Sequence, residues 1–302
     1  MISVAALLSE EIDALGRSSA SPRADAALLL ARALDRPRDW LIAHGDAEVS
    51  EENERRFRSL CERRRSGVPV AYLTGSAWFY GREFVVNDSV LVPRPETEHL
   101  IDEALRFVCG AMRVLDVGTG SGAIACTIVA ETKARVDATD ASPAAIATAV
   151  ENARRLKVED RCTFYLGDLV EPVRGNRYDI VIANLPYVPT DDLPRPPEPA
   201  SFEPPVALDG GADGLELYER LLPSLPSLIN EGGMILLECA PPTIRKLTHI
   251  ARATFPSFVV EEGKDYAGLP RYVKVVNLRG AALRAGEAAS EAARSHGGRE
   301  RG

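Results

Sequence analysis

The chain has 302 residues, 45% of them hydrophobic, enough for one large domain and a small one, and its net charge of −8 argues against holding nucleic acid mainly by neutralising phosphates. Five widely spaced cysteines (Cys61, Cys109, Cys126, Cys162, Cys239) form no CxxC pair and four histidines (His44, His99, His249, His296) do not cluster, so no disulfide framework and no metal site are expected, and a reducing cytoplasm fits. A basic leader with an apolar stretch is lacking, and no run approaches the roughly 18 to 20 apolar residues of a membrane span, so a soluble protein is expected.

From residue 1 to about 75 the punctuation predicts short helices. Ser3 can cap a stripe of Val4, Leu7, Leu8, Ile12 and Leu15 that Gly16 ends. Ser21-Pro22 opens a second helix with Leu28, Leu29 and Leu34 inward. Residues 37–43 and 50–66 supply two more, the last closed by Gly67. Such helices need partners to bury their stripes, which predicts a small helical bundle over 1–75. Arg55-Arg56 and Arg63-Arg64-Arg65 interleave with Glu51, Glu52, Glu54 and Glu62 and read as a solvated helix face.

Over 76–90, Trp78, Phe79, Tyr80 and Phe84-Val85-Val86 flank Gly81-Arg82-Glu83, the pattern of a short hairpin linking two domains. Beyond it, branched apolar runs recur at 113–117, 135–138, 163–166, 178–183, 234–238, 258–261 and 272–278, with room for helices at 144–156, 215–222 and 243–255. That alternation predicts an α/β domain over 91–280 with a mostly parallel sheet covered on both faces. The gap holding Gly263 and Gly268-Leu269-Pro270 reads as a loop returning an antiparallel last strand. Seven prolines between Pro189 and Pro205 predict a long loop without regular structure, a kind of loop that is often functional. Residues 281–302, almost without bulky apolar side chains, read as a disordered tail.

The run Asp116-Val117-Gly118-Thr119-Gly120-Ser121-Gly122 follows a strand and precedes a helix-like Ala123-Ile124-Ala125. Glycines there let a ligand approach backbone N–H groups at a helix N-terminus. Asp140 stands 22 residues after Gly118, where a ribose-binding acid is expected. This cradle fits NAD and S-adenosylmethionine alike. Asp116, where a NAD fold more often has an apolar residue, suits a cationic, amine-bearing ligand. Asp168, in Gly167-Asp168-Leu169 at the end of the third strand, can accept from an adenine amino group, although a turn role is the simpler reading.

Asn184-Leu185-Pro186-Tyr187 follows the fourth strand. Alone it would read as a strand-ending turn. At the carboxyl end of a strand in such a sheet, where ligands bind, it reads as a trap for a planar nitrogen. An amide nitrogen is a poor nucleophile because its lone pair is delocalised. The Asn184 side-chain oxygen and the Leu185 carbonyl can take its two N–H bonds and aim the remaining lobe at an electrophile, while Pro186 stiffens the turn and Tyr187 packs on the flat group. The pattern points to methyl transfer onto a conjugated amino group.

Together with Pro69-Val70-Ala71-Tyr72-Leu73-Thr74-Gly75, Val90-Leu91-Val92-Pro93-Arg94-Pro95-Glu96-Thr97-Glu98, Phe202-Glu203-Pro204 and Ala207-Leu208-Asp209-Gly210-Gly211, these motifs make the chain resemble the protein-(glutamine-N5) methyltransferases of the PrmC/HemK type. That resemblance covers about 20–278. It implies a seven-stranded Rossmann-like class I S-adenosylmethionine-dependent methyltransferase domain behind a helical bundle that docks peptide chain release factors. By it, the substrate is the glutamine of their Gly-Gly-Gln motif, Asp140 holds the donor's ribose and Asn184 to Tyr187 hold the amide. A cytoplasmic monomer with no stable nucleic-acid partner follows as the expectation. Three departures stand out: Leu185 replaces the family's usual proline, Glu238-Cys239-Ala240 departs from Glu-Ile-Gly, and Leu169 stands where some members place an aromatic beside adenine. Adenine-N6 methyltransferases of RNA or DNA also use Asn-Leu-Pro-Tyr, which keeps a nucleic-acid substrate as the alternative. A donor-binding protein that docks translation factors without catalysis, and a NAD-dependent dehydrogenase, complete the field.

Overall fold

In the computed structural model, which describes residues 2–16 and 18–278, the chain divides into two units. One unit comprises residues 1–77, 86–88 and 194–204, and the other 78–85, 89–193 and 205–302. The tail expected over 281–302 lies outside the described residues.

The first unit is helical: α1 Val4–Leu15, α2 Pro22–Leu34, α3 Arg38–Ala43, α4 Glu51–Arg65 and α5 Val70–Thr74, with a two-residue strand pair, β1 Ile2–Ser3 and β2 Glu48–Val49. Ser3 caps α1, its hydroxyl accepting from the Ala6 N–H at 3.3 Å, and Ser50 caps α4 in the same way. Ser21 makes no such side-chain bond. Leu29 is buried as expected, but Leu28 and Leu34 are only half-buried and Leu30 takes their place in the core. The Arg63–Arg65 run is not wholly solvated either. Arg64 is buried and its Nε donates to Asp25 at 2.7 Å, a carboxylate that also accepts from the Ser19 hydroxyl. Removing one partner of such a pair costs roughly 3–5 kcal/mol because the other charge stays buried. Residues 194–204 fold with these helices. Gly67, at φ +106°, leaves room for them: a Cβ there would stand 2.3 Å from the Pro197 carbonyl oxygen and 2.8 Å from the Phe202 ring.

β3 Ser76–Phe79 and β4 Arg82–Val85 form the expected hairpin. Its turn is Tyr80-Gly81, both at positive φ, one residue earlier than the sequence suggests.

The second unit holds α6 Glu98–Phe107, β5 Arg113–Val117, α7 Ala123–Glu131, β6 Arg135–Asp140, α8 Pro143–Arg155, β7 Cys162–Leu166, β8 Tyr178–Ala183, α9 Glu216–Leu221, α10 Leu225–Leu228, β9 Ile229–Glu238, α11 Ile244–Thr254, β10 Val259–Lys264 and β11 Pro270–Val276. The seven strands order as β10-β11-β9-β8-β5-β6-β7 and all run the same way except β11, which lies antiparallel to both its neighbours, β10 and β9. Period-two alternation sends Val181, Ala183, Ile235 and Leu237 into one core, and Ile180, Ile182, Met234 and Leu236 into the other. β9 begins at Ile229, earlier than the apolar run shows, because Asn230-Glu231-Gly232-Gly233 carries the strand through a register shift. Residues 189–205 contain short 3₁₀ turns at Thr190–Asp192 and Pro199–Phe202, with another opening at Pro205, so the proline-rich loop is not wholly irregular. Such turns need only i→i+3 bonds and tolerate proline at their start.

Chain order runs from β5 outward to β7, then returns to the other side of β5 with β8. At that reversal Val117 pairs with Ala183, so the glycine run and Asn184 leave the sheet side by side.

Candidate active site

The loop after β5 is built on Asp116. Its fully buried carboxylate accepts from the Thr119 hydroxyl at 2.6 Å and the Ala125 N–H at 3.2 Å, which ties the turn to the first residues of α7. Burial pushes this carboxyl up to about 7 against those two hydrogen bonds. Asp116 does not line the cavity; both of these bonds go to its Oδ2 and brace the loop from beneath, while its Oδ1 has no partner in the protein. Gly122 also stays out of the lining; it caps α7, and a Cβ there would meet Ala149 of α8 at 3.1 Å. Gly118, at φ +76°, would place a Cβ 2.9 Å from the Leu185 side chain, whereas at Gly120, φ +55°, nothing lies within 4 Å. The first glycine lets the two loops touch and the second leaves backbone open to the cavity. Buried Asn152 secures the far side, donating to the carbonyls of Val85 and Ser121 at 2.9 Å each and accepting from the Val85 N–H at 2.7 Å.

The cavity encloses about 310 Å³ and is lined by Gly118, Thr119, Gly120, Ser121, Asp140, Asp168, Leu169, Asn184, Leu185 and Pro186, among others. Asp140 accepts from the Gly120 N–H on one oxygen and the Ser142 N–H on the other, each at 2.8 Å, so the cradle and the end of β6 hold a shared geometry. Each oxygen keeps a second lone pair for a ligand hydroxyl. Burial raises this carboxyl above its usual range. Asp168 reaches the cavity wall, but its carboxylate pairs with Arg220, which the sequence did not flag. Leu169 sits at φ +46°, a conformation that costs a non-glycine residue roughly 1–2 kcal/mol and is found where a backbone is shaped for a ligand.

Beyond β8, the Asn184 Nδ2 donates to the Thr97 hydroxyl oxygen at 3.0 Å, and the Leu185 N–H donates to the Tyr218 hydroxyl at 3.1 Å. Tyr218 is fully buried and its hydroxyl in turn donates to the Glu238 carbonyl. Both amide hydrogens that could twist the turn are thereby fixed. Among the described residues nothing donates to the Asn184 Oδ1 or to the Leu185 carbonyl. Tyr187 is half-buried against the core and is not part of the cavity wall; burial pushes its phenol above the usual range. The Glu238 side chain, 2% exposed, lies beneath this turn. Burial lifts it to about 7, while the Thr97 hydroxyl, the Arg271 charge and the Tyr187 hydroxyl favour its anion.

Comparison with known proteins gives these features a context. The PrmC N-terminal domain family matches residues 6–75, and the methyltransferase small domain family matches 98–193. A release factor glutamine methyltransferase of Moorella thermoacetica is 40% identical over 253 residues, covering 83% of this chain and 89% of its own length. The chain belongs to the release factor glutamine methyltransferase family. A Bacillus cereus member is 36% identical over 255 residues, covering 82% of this chain and 89% of the relative. A methyltransferase of Pyrococcus furiosus shares the fold at 17% identity, with a TM-score of 0.51 over 67% of this chain and 91% of that one. The family's seven-stranded methyltransferase sheet and helical N-terminal region are those expected from the sequence.

Thr97, Tyr218, Asn152, Arg220 and Glu238 escaped the motif reading. Thr97 sits in the Pro-Arg-Pro-Glu-Thr-Glu stretch and Glu238 in a noted departure, yet no local pattern says that either meets the turn after β8. Among the described residues, no helix is long and apolar enough to cross a membrane and no group of three or more His, Cys, Asp or Glu residues could hold a metal ion.

Proposed function

We propose that the chain transfers a methyl group from S-adenosyl-L-methionine to the side-chain amide nitrogen (N5) of the glutamine in the Gly-Gly-Gln motif of peptide chain release factors. The observation that carries this is the pair of unclaimed acceptors, the Asn184 Oδ1 and the Leu185 carbonyl, presented beside the Gly118 loop while their neighbouring N–H groups are already bound. Two acceptors match the two N–H bonds of a primary carboxamide. Because Leu185 contributes its backbone carbonyl, its replacement of proline leaves the trap intact.

The cradle fits the donor: Gly120 offers open backbone where any Cβ would project, and both Asp140 oxygens retain lone pairs at the cavity wall. Gly118, Thr119, Gly120, Ser121 and Asp140 would hold it, with Leu169 and Asp168 at the wall and Asp116 and Gly122 shaping the loop. Bound there, S-adenosyl-L-methionine supplies an electrophilic methyl group. Asn184 and Leu185 orient the amide so that its lone-pair lobe faces that methyl, and their dipoles stabilise positive charge as it develops on nitrogen. Tyr187 and Pro186 keep the turn stiff. A strong base is not needed, since a methylated amide nitrogen carrying positive charge loses its proton readily.

The helical unit is the docking module for the release factor, and the enzyme works as a cytoplasmic monomer without a stable nucleic-acid partner; the acidic net charge supports the last point. The test is peptide mass spectrometry of an unmethylated release factor after incubation with enzyme and donor. One methyl on the Gly-Gly-Gln glutamine, lost with Asn184→Ala while donor binding persists, is the expected result. Donor binding without glutamine methylation would overturn it, and label in ribosomal RNA would favour adenine instead.

A further inference from the structure

A carboxamide has two ends of nearly equal size, and the trap works only if Asn184 turns its oxygen to the substrate. The contact with Thr97 does not by itself decide this, because a hydroxyl can donate as well as accept. Were the Thr97 hydroxyl to donate to the Asn184 oxygen, the NH₂ group would face the substrate N–H and the trap would repel what it must hold.

The neighbouring carboxylate breaks the tie. Glu238 ends β9, next to β8 in the sheet, and its side chain is buried with one oxygen, Oε2, lacking any hydrogen-bond partner in the protein. It can accept but, when ionised, cannot donate. The Thr97 oxygen accepts from the Asn184 Nδ2 at 3.0 Å, which leaves its proton to be placed, and the buried Glu238 Oε2 is an acceptor without a donor. The Thr97 hydroxyl also favours the Glu238 anion, so that carboxylate is the acceptor toward which its proton turns. The Tyr187 hydroxyl favours the same anion. Resting on the function proposed above, we infer that Thr97 and Glu238 are positioning residues that polarise a hydrogen-bond chain and fix the Asn184 carboxamide with its oxygen toward the substrate.

The charged and titratable groups facing Glu238 are Arg271 from β11, Glu96 from the turn before α6, Tyr187, Tyr218 from α9, and the adjacent Cys239. Arg271 favours the anion and Glu96 opposes it, so with burial Glu238 ionises at about 7. Below that pH the protonated acid can donate to Thr97, which permits the reversed and unproductive carboxamide. Asp116 titrates in the same range, but it lies under the donor loop and its effect belongs to donor affinity.

The test uses the full chain, S-adenosyl-L-methionine and an unmethylated release factor, with kcat, KM for the factor and donor Kd measured from pH 6 to 8. Thr97→Val, which keeps shape and removes the hydroxyl, is expected to lower kcat on the order of 10²-fold at unchanged donor Kd, and Thr97→Ser to recover most of it. Glu238→Gln, whose amide can donate or accept, is expected to lower kcat and to abolish the rise in kcat through pH 7. The Thr97→Val/Glu238→Gln double variant should be no worse than Thr97→Val alone, since both act on one chain. Wild-type kcat in Thr97→Val, equal damage from Val and Ser, or a retained pH rise in Glu238→Gln would overturn the inference. If the wild type itself left the glutamine unmethylated, the proposed function would fail. The inference would then be decided by the Asn184 side-chain amide signals in NMR, which must show a hydrogen-bonded proton in the wild type and in Thr97→Ser but not in Thr97→Val.

Discussion

The Leu185 N–H and the Tyr218 hydroxyl meet at 3.1 Å in a buried contact, and it sets how the turn leaves β8. Tyr218 bridges β8 and β9, because the same hydroxyl donates to the Glu238 carbonyl. Tyr218→Phe leaves a buried N–H and a buried carbonyl each short of a partner. A loss of about 1–3 kcal/mol in urea unfolding is expected, with a fall in kcat and little change in donor Kd. Unchanged stability would mean that the turn finds another partner.

Gly118 and Gly120 separate packing from ligand approach. Gly118→Ala brings a methyl group within 2.9 Å of Leu185 at a left-handed backbone, so the free protein should lose stability and kcat should fall with donor affinity. Gly120→Ala meets nothing within 4 Å, so its cost to the free protein is limited to the backbone, roughly 1–2 kcal/mol, while donor Kd should rise at least tenfold. Calorimetric titration together with thermal melts distinguishes the two patterns.

Asp140→Ala strips acceptors from the Gly120 and Ser142 N–H groups and from the donor's ribose. Donor affinity should fall by about 10²-fold, the equivalent of two hydrogen bonds to a charged group. Asp140→Asn keeps one acceptor and should lose less. Equal losses in the two variants would show that the charge, not the bonding, matters.

Stability should decline as pH rises from 5 to 8. Asp116 and Glu238 both have folded-state values near 7, above their ordinary values of 3.8 and 4.5. Each contributes stability that is fully present below its unfolded value and is lost as pH rises through the folded one. Glu103, Asp209, Asp213 and Asp265 are held below their ordinary range, so their opposite contribution is complete before pH 5. Urea midpoints across this window should fall in the wild type and fall less in Asp116→Asn and in Glu238→Gln. A flat wild-type profile would mean that the two carboxyls ionise freely.

Local signals carried most of the strand order, because β-branched runs and helix gaps are written in neighbouring residues. They missed α6, whose Leu100, Ile101 and Ala104 face the core from within a stretch noted for its motif, and the first half of β9, where Asn230 to Gly233 carry no apolar pattern. In the site, the meeting of Asn184, Asp140, Gly118 and Gly120 at one cavity was legible, since each stands at the carboxyl end of a strand or in the turn that follows it. The placement of Asp116 was not: a carboxylate beside a cradle suggests a ligand contact, and only the fold shows its bonds going to Thr119 and Ala125. Asp168 was read without its partner for the same reason, as Arg220 comes from a helix much later in the chain.

The segment 194–204, seated against Gly67, makes the helical unit discontinuous in sequence. A cut after residue 75 therefore does not yield two complete bodies: the C-terminal fragment would carry eleven residues whose seat has gone, including Phe202 and its neighbouring prolines. The same holds for recombination between relatives. A chimera that exchanges only the N-terminal helices would put one parent's proline-rich segment against the other parent's glycine notch, so the helices and this distant segment must be inherited together.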